Sequence, residues 1–314
     1  MITLFKHQSN FGFITHRYKA YLVSLAIFVV AIGSVAVHGG LKLGVDFTGG
    51  TLLQVHFLSP IGADAVRKAI ADAGLAGAEI QKVRDTDRIK NAFMIRTGLK
   101  EVQPGGDPAA AATIASRVVA ALDRQHPDNK VTVDSDETVG PKIGRELQWK
   151  AIWAVMVGCL LILIYVAVRF DFRFGVTAVF SIIHDVLCTV GFISITGMEF
   201  NLQSVAVLLT IIGYSINDTI VVADRIRENV KKPHKETYAE LVNRSINETL
   251  SRTVITVLTV LFVLLCLQFF AGRVLSDFTK PLLFGLIIGT YSSIFVVASL
   301  VVDWEIRSPT KRKK

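Results

Sequence analysis

Six apolar runs, each long enough to cross a bilayer, and one polar block between the first two predict the fold class. It is a polytopic α-helical membrane protein with six transmembrane helices and an outer α+β domain between the first and second. Composition agrees: 51% of the 314 residues are hydrophobic and 19% charged, with a mean hydropathy of +0.49. That is too apolar for a soluble chain of this size. Cys159, Cys188 and Cys266 lie inside apolar runs with no Cys/His cluster near them. They read as small core residues, so neither a metal site nor a disulfide framework is expected. The net charge of +8 points to topology and not to nucleic acid, because the basic residues lie mostly between the apolar runs and at the ends.

Residues 1–20 form a short basic segment with Lys6, Arg17 and Lys19, interleaved with Phe5, Phe11 and Phe13. This pattern predicts an amphipathic N-terminus lying at the cytoplasmic interface. The first span covers 21–38. His38-Gly39-Gly40 follows it and no Ala-x-Ala site does, so an uncleaved span is expected.

Residues 39–148 are polar, with elements of ordinary length. Thr51–Phe57 alternates like a strand, and Ile61–Ala73 reads as a helix closed by Gly74. Glu79–Arg84 and Ala92–Arg96 read as strands on either side of the turn Asp85-Thr86-Asp87. Pro104-Gly105-Gly106 breaks the chain, and Asp107 can cap a helix from Pro108 to about Arg124. Lys130–Val139 is a final strand. The order βαββαβ is that of a ferredoxin-like split βαβ unit, with helices on one sheet face and the other face free.

The remaining spans are expected at 149–168, 174–195, 201–223, 253–270 and 281–302, with a loop over 224–252 and a basic tail over 303–314. Positive charge sets the orientation. The N-terminus, the Arg169–Arg173 turn, the Arg225–Arg252 loop and the tail (Arg307, Lys311–Lys314) are all basic and are placed inside. The Thr196–Asn201 and Ala271–Lys280 turns and the 39–148 domain are placed outside.

The stretch from Glu199 to Asn229 organises the chain chemically. Leu202–Ala223 carries one charge, Asp218, and an intramembrane carboxylate marks an ion or substrate path or else a helix-pairing group. Gln203, Thr210, Asn217 and Asp224 recur at intervals of seven, with Tyr214 and Asp218 beside them. With the boundary near Asp224, Asp218 lies roughly 9 Å inside. Desolvation disfavours its charged form and a nearby cation favours it; a group balanced between the two can load and release a proton. Arg252 opens the fifth span and is either an interfacial anchor or the partner of Asp218. Asn247 and Ser251 precede it and can reach the same site. His184-Asp185 in the third span lies roughly 18 Å from Arg173. It is a relay or a structural hydrogen bond between helices. Gly285 and Gly289, then Ser292 and Ser293, permit close helix packing in the last span. No GxxxxGK[ST], HExxH or GxSxG sequence is present, so nucleotide-driven transport and the common hydrolase sites have no support.

Several stretches together resemble the SecF family, the smaller of the two SecD/SecF subunits of the bacterial protein-export machinery. They are Leu43–Gly50 (LGVDFTGG), Val139–Gly144 (VGPKIG), His184–Val186, Glu199–Leu202 (EFNL), Ile211–Thr219 (IIGYSINDT), Asp224–Asn229, Asn243–Thr253 and Gly289–Ser293. The resemblance implies half of a resistance–nodulation–division transporter fold, multi-pass in the bacterial inner membrane with both termini cytoplasmic and the α+β domain periplasmic. It implies SecD as the obligate other half and the SecY/SecE/SecG channel as a partner, with SecA acting beforehand and YajC and YidC as further candidates. Unfolded preprotein is the cargo, and no nucleic acid is expected. The implied protein is not an enzyme. It uses the proton motive force to complete translocation, with protons as coupling ion and no cofactor. The family's Asp in Asn-Asp-Thr falls on Asp218 and its Arg in Leu-Ser-Arg-Thr on Arg252, both implicated in proton transport. Asn217, Tyr214, Ser251, Asn247, His184 and Asp185 are candidate supporting groups. The other essential carboxylate belongs to SecD.

Two other readings compete. A small-molecule or lipid exporter of the same superfamily is opposed by the single small outer domain. An intramembrane aspartyl protease would need Asp185 and Asp218 about 3 Å apart, at positions of unequal depth.

Overall fold

The computed structural model describes residues 10–75, 77–83, 91–98, 108–170, 172–233, 235–270 and 272–309. Lys6, Asp85-Thr86-Asp87, Pro104-Gly105-Gly106, the Asp107 cap and the last lysines lie outside these residues. In chain order the elements are α1 (Arg17–Val37), α2 (Val45–Thr48), β1 (Gly50–Phe57), α3 (Ala63–Asp72), β2 (Glu79–Lys82), β3 (Ala92–Thr97), α4 (Pro108–Gln125) and β4 (Val131–Val139). They continue with α5 (Pro141–Arg169), α6 (Phe172–Ile195), α7 (Leu202–Lys231), α8 (Tyr238–Phe270) and α9 (Gly272–Ser292). A π-helical turn (Ser293–Val297) then leads into α10 (Ala298–Arg307). The chain divides into two compact units. One comprises Met1–Lys42, Trp153–Glu199 and Gln203–Lys314; the other comprises Leu43–Ile152 and Phe200–Leu202.

The first unit is helical, and the described residues contain six helices long and apolar enough to cross a membrane. α6, α7 and the last composite helix bury most of their apolar stretch, whereas α5 and α8 bury little of theirs within this chain. α1 meets α6 where a side chain on Gly191 would lie 2.2 Å from Ala31 Cβ, so only hydrogen fits there. Gly191→Ala is expected to destabilise the detergent-solubilised chain by ~1–3 kcal/mol through overpacking, with Ala31→Gly restoring most of the loss. An unchanged thermal midpoint in the single variant would refute the contact.

Residues 224–252, expected as a loop, are largely helical. α7 continues to Lys231, and α8 starts at Tyr238, fifteen residues before the expected span. Thr237 and Glu240 form a reciprocal cap: the Thr237 N–H donates to Glu240 Oε2 (2.7 Å), and the Glu240 N–H donates to Thr237 Oγ1 (3.3 Å). Charge ends an apolar run, but it does not end a helix. α5 likewise begins at Pro141, a residue suited to the first helical position, well before the apolar run.

The second unit contains an antiparallel sheet in the order β2-β3-β1-β4. The element order β-α-β-β-α-β is the one expected. Leu53, Val55, Phe57, Phe93 and Ile95 project from one sheet face and bury against Val66, Ala69 and Ile70 of α3 and Ile114, Val118 and Leu122 of α4. The alternation of β1 and β3 produces this face directly. β4 is an exposed strand bearing Asp134, Asp136 and Glu137, charges that discourage edge-to-edge pairing.

The segment Leu43–Gly50 lies at one end of the sheet and is fastened from several directions. Gly50 has φ +141°, and a Cβ there would lie 2.5 Å from the Thr97 carbonyl oxygen, so the second glycine of the pair is required by geometry. Leu43 forms a parallel bridge with Phe200. The Gly44 N–H donates to the Phe200 carbonyl (2.8 Å), the Phe47 and Phe200 rings stack at 5.9 Å, and Gln148 Nε2 donates to the Phe47 carbonyl (2.9 Å). Arg96 donates to the Leu43 carbonyl. Asp46 Oδ2 accepts the N–H of Leu202 (2.9 Å), the first residue of α7. A carboxylate is thereby supplied to an otherwise unpaired helix-start donor.

Candidate functional site: an intramembrane carboxylate and arginine

α7 presents two contrasting faces. Ser215, Asp218, Thr219 and Val222 are buried within the unit, whereas Gln203, Ala206, Gly213, Asn217 and Asp224 are exposed and Thr210 and Tyr214 are half-buried. Positions 203, 206, 210, 213 and 217 alternate between spacings of three and four, so they share one helix face. That face is polar or small over much of the depth of the span.

Asp218 is only 6% exposed. Among the described residues, the charged group that acts on it is Arg252, without a hydrogen bond joining the two. Arg252 is exposed, near the middle of α8 and at the start of that helix's apolar stretch. Thr256 and Thr259 follow it at helical spacing and satisfy their hydroxyls locally. Thr256 Oγ1 donates to the Arg252 carbonyl (3.1 Å), and Thr259 Oγ1 to the Thr256 carbonyl (2.7 Å). The pair is thus a desolvated carboxylate and a long cationic side chain on different helices, within electrostatic reach and not locked together. Adding a proton to the carboxylate removes the charge that attracts the guanidinium.

The supporting residues expected from the sequence divide. Asn217 is exposed, one residue from Asp218 but on the other face. Tyr214 packs against the apolar cluster of Val207, Ile211, Leu264, Leu282 and Leu286. The Asn247 side chain is engaged elsewhere: its Oδ1 accepts the Phe11 N–H (2.9 Å), and its Nδ2 donates to the Phe11 and Asn243 carbonyls (3.0 and 2.8 Å). Ser251 is half-buried beside Arg252 on α8. His184 and Asp185 are both buried and lie against each other (Nδ1 to Oδ1, 3.0 Å).

Sequence reasoning did not find the clamp that holds α7 against α8. Glu248 of α8 accepts from Arg225 and from Asn229 Nδ2 (2.8 Å) of α7, and from Arg244 Nη1 (2.9 Å) of its own helix. Asn229 is fully buried and also donates to Ser245 Oγ (2.9 Å). Arg225 and Arg244 reach further carboxylates at Glu228 and Glu236. Read along the chain, these residues are a mixed-charge stretch; only the turn back between α7 and α8 brings Asn229 and Glu248 together. The clamp fixes the relation between the helix that carries Asp218 and the helix that carries Arg252.

Comparison with known proteins places this geometry in a family. The family model described as "Protein export membrane protein SecD/SecF, C-terminal" matches residues 119–307. The one described as "SecD/SecF GG Motif" matches residues 36–57, the region fastened around Asp46. The chain is 42% identical over 311 residues to the protein translocase subunit SecF of Gemmatimonas aurantiaca, covering 98% of this chain and 91% of that one. It is 42% identical over 290 residues to the protein translocase subunit SecDF of Thermus thermophilus, covering 91% of this chain and 38% of that longer one. The crystal structure of SecDF from Thermus thermophilus superposes with a TM-score of 0.80 at 41% identity, covering 95% of this chain and 39% of that one. The chain belongs to the SecD/SecF family of protein export membrane proteins.

Proposed function

We propose that this chain is one half of a proton-driven accessory subunit of the Sec protein-export machinery. A SecD-type subunit supplies the other half. The two act with the SecY/SecE/SecG channel after the ATP-dependent SecA step and complete the passage of unfolded preproteins across the bacterial inner membrane. In this reading both termini are cytoplasmic. The second unit, whose strand order is that of a ferredoxin-like split βαβ unit, lies in the periplasm. Basic segments on one side of the spans support this orientation. Asp218 is the proton-binding group. Protonation releases Arg252, the helices re-pair, and the outer unit moves with them.

One observation carries the proposal above the others: the exposed polar and small face of α7 beside the buried Asp218. Gln203, Thr210 and Asn217 at membrane depth are costly against lipid and need protein or water opposite them, and Ala206 and Gly213 allow a helix to approach closely. A proton path with one wall on this chain then has its second wall on another. The length of SecDF supports this reading, since the chain covers about two fifths of it.

Affinity purification of the tagged chain in mild detergent is expected to recover a SecD-type partner in near-equal amount. Nothing lies within 4 Å of a Cβ added at Gly213, which is exposed, so Gly213→Phe starts outward from this chain. That variant is expected to fold normally and to recover several-fold less partner. A wild-type preparation free of any such partner would remove the basis of the half-transporter reading.

A further inference from the structure

Asp185 is the most enclosed carboxylate among the described residues of the helical unit, at 1% exposure, and the path through Asp218 and Arg252 leaves it without a role. Its Oδ2 accepts two hydroxyls from other helices, Ser215 of α7 (2.6 Å) and Ser292 of α9 (2.7 Å). Its Oδ1 faces His184 Nδ1 (3.0 Å), and the far side of that imidazole meets Cys188 Sγ (3.6 Å). Three donors converging on one carboxylate suit its ionised form.

The same partners suit the neutral form, and this separates the site from a simple structural tie. A protonated carboxyl must donate as well as accept. Ser292 Oγ already has a second acceptor, the Gly289 carbonyl at 3.0 Å. It can turn its proton to that carbonyl and accept the Asp185 O–H in exchange, while Ser215 goes on donating. No buried polar group is left unpaired in either charge state, so neither state carries the penalty of an orphaned group. Directly after Ser292 the helix widens into the π-turn Ser293–Val297, an irregularity that recurs at functional sites.

We infer that Asp185, with His184 and Ser292, is a second proton-binding site of this chain, separate from Asp218 and coupled to it through α7. In the uptake, a proton from solvent forms an O–H bond on Asp185 Oδ2, directed at Ser292 Oγ, while a neutral His184 keeps its Nδ1–H on Oδ1. Ser215 sits three residues before Asp218 and shares its buried face, so the two sites are one helical turn apart on α7. The titratable groups around Asp185 are His184 and Cys188 on its own helix. α7 and α9 face it with the Ser215 and Ser292 hydroxyls, and α1 meets α6 at Ala31 and Ser34. The inference rests on the proposed proton-driven role for the use of the proton, but not for its binding.

The test is infrared difference spectroscopy of the full chain, purified with its partner, as pH is varied. Wild type is expected to show two titrating protonated-carboxyl carbonyl bands. Asp218→Asn removes one. Asp185→Asn removes the other, and Ser292→Ala, which keeps the carboxyl, moves that band to higher frequency by deleting the hydrogen bond. Should Asp185→Asn fail to fold, the Ser292→Ala shift decides alone. A spectrum unaltered by every folded variant of Asp185 and Ser292 overturns the inference and leaves Asp218 untouched. Conversely, gradient-driven export that survives Asp218→Asn while the Asp185 band still titrates removes the proposed function and leaves this site standing.

Discussion

Replacing Asp218 by asparagine is expected to abolish the stimulation of preprotein export by a proton gradient, while ATP-driven export through the same channel continues. The substitution keeps the side chain's volume and removes only its capacity to exchange a proton. Because the carboxylate is 6% exposed and accepts no hydrogen bond among the described residues, the amide removes a desolvated charge without breaking a network. Stability should therefore change by no more than ~1 kcal/mol, and the complex should assemble. Arg252→Gln should fail in the same assay for the opposite reason, since it leaves the carboxylate without its cation. Arg252→Lys should retain part of the stimulation, because it keeps a charge on a shorter and differently hydrated head. The measurement is preprotein uptake by proteoliposomes that contain the channel, SecA, the partner and this chain, with and without an imposed gradient. Full stimulation with Asp218→Asn would end the proposed role for this residue.

Glu248→Ala is expected to destabilise the helical unit strongly. Its carboxylate neutralises Arg225 and Arg244 and accepts from the buried Asn229 amide. Truncation removes one partner from each of two guanidinium groups and from the Asn229 amide, which keep Glu228, Glu236 and Ser245. An exposed ion pair contributes well under ~1 kcal/mol, while deleting one member of a buried pair costs ~3–5 kcal/mol. Glu248 is largely buried and its arginines about one-third exposed, so ~2–3 kcal/mol is expected between those limits. Glu248→Gln keeps an acceptor for Asn229 and should lose about half as much. Thermal unfolding in detergent measures both. Adding Arg225→Ala to Glu248→Ala should be clearly less than additive, and strict additivity would show that the clamp is not a unit.

The elements most visible in the sequence are those with a strong period or a long uniform run. Thr51–Phe57 alternates because one sheet face is covered, and β1 appears there within one residue of the expected start. The spans are visible because each needs a long apolar run. The helix ends were not visible: a span stops where lipid stops, and a helix stops where its capping and pairing stop, as Thr237 and Glu240 illustrate. Asp218 stood out because a charge in an apolar run is rare. Its burial beside an exposed Asn217 did not, since a stripe at intervals of seven with Asp218 beside it does not say which side of the stripe is covered. Ser215 and Ser292 are 30 and 107 residues from Asp185 in sequence. Nothing local marks an ordinary serine as the partner of a distant carboxylate; only helix packing does.

The fastening around Asp46 bears on how the protein can be taken apart. A domain inserted between two spans invites excision, and residues 43–152 look like a continuous cassette. The compact unit nevertheless includes Phe200–Leu202, contributed from much later in the chain. An excised cassette would lack the ring that stacks on Phe47, the carbonyl that accepts from Gly44, and the N–H that Asp46 holds. The second unit is therefore not modular in the usual sense. It is completed by the linker into α7, so the stretch that finishes the sheet-bearing unit also begins the helix that carries Asp218.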